Sequence, residues 1–270
     1  MPPVTSTALA VEFALLLGGL VLLWRQGLGP AARARPALLP AWDVILSDFF
    51  LFIWLVILGG VAGSYGLSLY SRHHPLDKAH LTIIGTAAFH GGMLLGMAGH
   101  RLFFTRAKPP VAPVAPNADG MFRSGLATFL IALPVLTAVS LVWQGVLKLV
   151  HYPPEDQEAI NLLRHTDSAS LRCALLAVAI LVAPVTEELV FRAGIFRYVR
   201  TRLPRWVALL LPAVLFASLH NNVGTFVPLV TLAIVFALAY ERTGRIGTTI
   251  VAHALFNLNS ALLVLAGVDV

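Results

Sequence analysis

Ala183-Pro184-Val185-Thr186-Glu187-Glu188-Leu189-Val190-Phe191-Arg192 sets two adjacent carboxylates and an arginine into a chain that is otherwise close to continuous hydrocarbon. The run before them, Cys173 to Val185, carries no charge. An ionisable side chain inside an apolar span costs several kcal/mol, so such a group faces protein or water and marks a functional site. The reading of this stretch as a membrane span with a buried charged cluster decides the fold, and the remaining chain agrees with it.

The 270 residues are 58% hydrophobic and 12% charged, with a mean hydropathy of +0.82. A soluble domain carries about 25% charged residues. That balance holds along the whole length, which predicts an all-α, polytopic membrane protein and excludes a soluble enzyme with one anchor. The net charge of +6 and pI near 10.0 reflect Lys and Arg at the ends of spans. No basic stripe interleaved with aromatics is present, so no nucleic-acid partner is expected. The single cysteine, Cys173, cannot form an intrachain disulfide. Ala8 to Trp24 lacks a basic segment before it and a small-residue cleavage site after it, and reads as a retained span.

Apolar runs long enough to cross a core about 30 Å thick fall at about 7–24, 44–69, 81–104, 122–150, 170–191, 206–220, 226–240 and 246–266. The expectation is therefore about eight transmembrane helices, with the sixth and seventh short and either tilted or partly re-entrant. Fourteen of the 19 Lys and Arg follow odd-numbered spans. By the positive-inside rule those loops are cytoplasmic and both termini lie outside. The prolines of Lys108-Pro109-Pro110-Val111-Ala112-Pro113-Val114-Ala115-Pro116-Asn117 favour an extended spacer. This divides the chain into a three-span region, 1–107, a linker, 108–120, and a five-span region, 121–270. The polar stretch from His151 to Ser170 is expected to form a solvated loop with a short surface helix starting near Pro153 or Pro154.

Polar residues within the spans differ in what they suggest. Glu12 is isolated near a chain end and reads as an interfacial carboxylate. His90 and His100 are ten residues apart and make no i,i+4 metal pair, so each reads as a hydrogen-bonded core histidine. In the second half, Glu188 and Arg192 stand at i and i+4 on one helix face, with the acid on the favourable N-terminal side. Glu187 points about 100° away and is left for chemistry. His220 ends the sixth span in Phe216-Ala217-Ser218-Leu219-His220, and His253 and Asn257 are i and i+4 in the eighth. Counting about 1.5 Å per residue from the nearest basic edge puts Glu187, His253 and His220 at roughly 15, 12 and 22 Å. All lie within the hydrocarbon depth, where one pocket can collect them.

Glu187-Glu188-x-x-x-Arg192, Phe216-x-x-x-His220 and His253-x-x-x-Asn257 resemble, in order and spacing, the three motifs of the CPBP family. That family comprises the type II (Rce1-like) CAAX prenyl proteases and the bacterial Abi proteins linked to bacteriocin processing and immunity. The resemblance covers about 171–265. It implies an eight-helix intramembrane endopeptidase acting on a membrane-associated or lipidated peptide or protein. It further implies that Glu187 activates the attacking water, that His220 helps to hold it, and that His253 and Asn257 stabilise the oxyanion. Glu188 and Arg192 take positioning roles. Short loops and compact length suit a bacterial inner-membrane protein. The cofactor stays open between a metal-free site, which is favoured, and zinc held by Glu187, His220 and His253 with an open position for water. Two other classes compete: a non-catalytic scaffold or immunity protein with the same fold, and a proton-coupled transporter. The transporter needs inverted repeats or paired broken helices, and neither is seen in the sequence.

Overall fold

The structure is a computed structural model that describes residues 3–34, 36–104, 118–153 and 157–268. The proline-rich linker, apart from its last residues 118–120, lies outside them. Among the described residues every regular element is helical. In chain order these are α1 (Pro3–Leu22), α2 (Leu46–His73), α3 (Lys78–Gly99), α4 (Ala118–Leu149), the surface helix α5 (Glu158–His165), α6 (Ala169–Arg200), α7 (Arg205–Ser218), α8 (Val223–Thr243) and α9 (Ile246–Leu265). A single turn, Pro30–Arg33, follows α1.

Seven of these helices are long and apolar enough to cross a membrane, and the chain is an integral, multi-pass membrane protein. The sixth expected span, read as short, is α7, with 14 residues. At 1.5 Å per residue it reaches about 21 Å, too short for the hydrocarbon core. The other span expected to be short is a full one, because α8 continues for 21 residues to a left-handed Gly244. The surface helix begins at Glu158, a few residues later than expected.

Packing places α6 at the centre. It is the most buried of the spans at 44%, against 6% for the first. Its Val190, Phe191, Ile195 and Phe196 share a core with Phe52 and Val56 of α2, Phe216 of α7 and Ala233 and Ala237 of α8. A second core joins Phe129, Leu133 and Leu136 of α4 to Phe236 of α8 and Ala252 of α9. Helices α2 and α3 form a tight hairpin in which Gly59 faces Gly92, Gly63 faces Ala88 and Gly96 faces Leu55. A Cβ at any of these four glycines would collide with the opposing carbonyl oxygen. Small residues at four-residue spacing let two backbones close in a lipid environment, where apolar burial alone drives nothing. Asp77 caps α3 by accepting from the His80 backbone N–H at 2.9 Å. That bond, then the His80 side chain, holds the Asp77 carboxyl below its usual range.

Loops after α1, α6 and α8 gather at one end of the bundle. Arg200 and Arg205 clasp the buried Glu241 at 2.6 and 2.7 Å. The Glu241 carbonyl accepts from the backbone N–H groups of Leu38 and Leu39. Arg197 donates to the carbonyls of Pro40 and Ala41, and Arg242 to that of Gln26. Grouping these loops by charge is thus matched by their positions. Glu12, expected to be interfacial, accepts a 3.0 Å hydrogen bond from Asn259 of α9 and is half-buried.

Candidate active site

Helix α6 carries the paired glutamates and is not a uniform α-helix. Two π-helical segments, Val178–Val182 and Glu188–Phe196, flank the short α segment Ala183–Glu187. Widened turns of this kind recur at functional sites. The first has a legible cause. The Ala183 N–H bonds the carbonyl of Val178, five residues back. In that register the Ala179 carbonyl looks to residue 184, a proline with no N–H. The donor comes from another helix instead: Asn257 Nδ2 reaches Ala179 O at 2.7 Å.

Glu188 has no exposed surface. Its Oε1 lies 3.1 Å from Arg192 Nη1, as the i,i+4 spacing requires. Neither Nη of Arg192 has an aligned hydrogen-bond acceptor among the described residues. Ring faces take that place, with the guanidinium carbon 4.8 Å from the centre of Phe216 and 5.5 Å from that of Phe236. The pair neutralises itself inside an aromatic box.

His253 of α9 sits between the two glutamates. Its Nδ1 lies 2.9 Å from Glu188 Oε1, and its Nε2 lies 3.6 Å from Glu187 Oε2. A carboxylate paired with arginine only accepts, so Nδ1 carries the hydrogen and Nε2 is presented to Glu187. This refines the expectation that Glu188 is engaged with Arg192 alone, because it also orients the imidazole. Thr249, one turn earlier on α9 and fully buried, approaches the same carboxylate. Glu187 itself keeps 18% of its side chain exposed, so it alone of the pair can meet water or substrate.

His220 lies beyond the end of α7, where the chain turns before α8 with Asn221 at a φ of 47°. Its Nδ1 is 2.8 Å from the Phe216 carbonyl, which fixes Nε2 as the acceptor. Phe216 thereby joins the cluster: its carbonyl holds His220, while its ring covers Arg192 and stands 6.2 Å from the His253 ring. Among the described residues, no hydrogen bond or ion pair links His220 to Glu187. Asn257 places one amide hydrogen on Ala179 O and has no acceptor among the described residues for the other.

The three-ligand zinc set is not assembled. Among the described residues, no three His, Cys, Asp or Glu side chains converge to hold a metal. Glu187 and His253 supply one carboxylate and one imidazole, short of the three protein ligands a catalytic zinc needs.

One neighbour of Glu187 reads from sequence as a hydrogen-bonded core histidine, yet its Nδ1 has no partner among the described residues. His90 of α3 is buried and lies within range of the Glu187 charge. The signal available was a stripe of Ile83, Ala87 and His90 at i, i+4 and i+7.

A family model described as type II CAAX prenyl endopeptidase Rce1-like matches residues 169–259, about a third of the chain. The matched segment begins with α6 and contains Glu187, Glu188, Arg192, His220, His253 and Asn257. No curated protein and no solved structure matches the chain.

Proposed function

We propose, on the premise that the chain belongs to the Rce1-like family through residues 169–259, that it is an intramembrane endopeptidase with Glu187 as general base. The observation that carries this reading is the division of labour between adjacent carboxylates. Glu188 is sealed and engaged by Arg192 and His253, whereas Glu187 stays partly exposed and faces His253 Nε2 at 3.6 Å.

Peptide hydrolysis needs a group that takes a proton from water and donors that receive the developing oxyanion. Glu187 removes one hydrogen of the water as its oxygen bonds the scissile carbonyl carbon. His220 Nε2 accepts from that water's other hydrogen. The spare amide hydrogen of Asn257 donates to the oxyanion, and His253, its Nδ1 hydrogen held by Glu188, stands beside Glu187 through Nε2. Collapse of the tetrahedral species breaks the C–N bond, and the proton on Glu187 passes to the departing nitrogen. No step uses a metal. Stoichiometric zinc in protein purified without chelators, with activity lost on its removal, would contradict this part of the mechanism.

The substrate is a membrane-associated or lipidated peptide or protein, and the short loops suit the inner membrane of a bacterium. The experiment compares membrane proteomes of cells carrying the wild type and Glu187→Ala. New C-termini present only with the wild type are expected; identical C-termini in both would overturn the endopeptidase reading.

A further inference from the structure

Helix α3 brings a buried histidine to this site from outside the matched segment 169–259. Ile83, Ala87 and His90 share one face of α3, and Ile83 and Ala87 pack in a cluster with Leu175 and Val178 of α6. Both helices start at the end of the bundle where Lys78 meets Glu158, so they run in the same direction. From Ile83 to His90 is about 10 Å of helix, and from Val178 to Glu187 about 13 Å. The face that seats Ile83 against α6 therefore carries His90 to the depth of Glu187. Helix α3 packs directly against the Ala183–Glu187 segment of α6, which brings His90 within range of the Glu187 charge.

The position is rigid and the ring is incompletely bonded. A different face of α3, through Ala88, Gly92 and Gly96, is locked onto α2 at backbone contact. His90 is 7% exposed, and its Nδ1 is buried with no hydrogen-bond partner among the described residues. A histidine kept only for packing is expected to have its buried nitrogen satisfied, and an unsatisfied one in a native core calls for an explanation. Polar groups within a span face a partner or a water-filled cavity.

We propose that His90 is a catalytic residue of the site, its Nδ1–H donating to the oxygen of the water that Glu187 activates. The water then gives one hydrogen to Glu187 and one to His220, accepts one from His90, and keeps a single lone pair for the carbonyl carbon. His90 neither gains nor loses a proton in the cycle. The role rests on the endopeptidase reading for the step it serves, but the packing of α3 against Ala183–Glu187 stands apart from that reading.

Two measurements test it. In proteoliposomes with a quenched, farnesylated CAAX peptide, His90→Ala is expected to lower kcat about 100-fold, the effect of losing one preorganised donor, with KM within about two-fold. His90→Asn, whose amide N–H can stand near Nδ1, recovers part of that loss. Equal loss in both variants, or loss confined to KM, assigns His90 to packing and overturns the proposal. The second measurement needs no turnover: ¹⁵N-histidine NMR, with His90 assigned by its absence in His90→Asn. Its Nδ1 resonance is expected to move in Glu187→Gln, and an unmoved resonance overturns the proposal. A wild type that cleaves neither this peptide nor any membrane protein defeats the endopeptidase reading, while the resonance still decides whether His90 belongs to the Glu187 site.

Discussion

At the scale of single residues, the site depends on two carboxylates side by side having different neighbours. Glu188 faces Arg192 at 3.1 Å and His253 at 2.9 Å and has no exposed surface. Removing the arginine strands a buried charge, which costs about 3–5 kcal/mol. Arg192→Ala is therefore expected to fail to accumulate, or to melt far below the wild type in detergent. Lysine should not restore it, because a compact ammonium cannot spread over Phe216 and Phe236 as the guanidinium does. A thermal scan of both variants checks this, and a lysine variant of wild-type stability would contradict it. Which glutamate faced water was legible in the sequence, because the i,i+4 partner of Glu188 is an arginine and that of Glu187 is Phe191. That His253 bridges both was not legible, since it depends on how α9 is rotated against α6.

At the scale of elements, the π-helical turn in α6 links a backbone need to a side chain on α9. Asn257 satisfies the Ala179 carbonyl that Pro184 cannot reach. Asn257→Ala is expected to cost about 1–3 kcal/mol of stability by leaving a buried acceptor unpaired, as well as activity. Adding Pro184→Ala restores a backbone N–H, and the double variant should regain stability without regaining activity. Thermal melts and cleavage rates on the same preparations separate the two effects; no stability returning in the double variant would contradict the account. The sequence displayed Pro184 and Asn257 but not their connection. A turn bonded to the fifth residue arises from packing and leaves no periodicity to read. Helix α8 is the other element whose extent was hidden, because the apolar run read for it, 226–240, stops short of the helix, Val223–Thr243.

For the whole molecule, two devices hold the spans around α6. One is the small-residue seam between α2 and α3. Gly92→Val drives a side chain into the Gly59 carbonyl, and an overpacked contact of this kind costs about 1–3 kcal/mol. The α3 helix should shift, so cleavage should fall further than stability alone explains. The other is the clasp on Glu241, whose arginine partners keep 31% and 53% of their side chains exposed. Because they stay hydrated, Glu241→Ala should cost only about 1–2 kcal/mol, with added salt narrowing the difference. Denaturation at two ionic strengths checks this. The membrane architecture and the end at which loops one, five and seven meet followed from hydropathy and the arginine count, which act along the whole chain. The contribution of α3 to the site did not, because one histidine in a Gly-rich span looks like packing until its neighbour is known.

The central claim is that Glu187 is the base and Glu188 its support. The most direct measurement is kcat for cleavage of a farnesylated CAAX peptide by Glu187→Gln and Glu188→Gln, each confirmed folded by its melt in detergent. Glu187→Gln should retain the wild-type melt and lose about 100-fold or more of kcat, the range for removing a general base, whereas Glu188→Gln should lower the melt. A Glu187→Gln protein that cleaves at the wild-type rate would contradict the account.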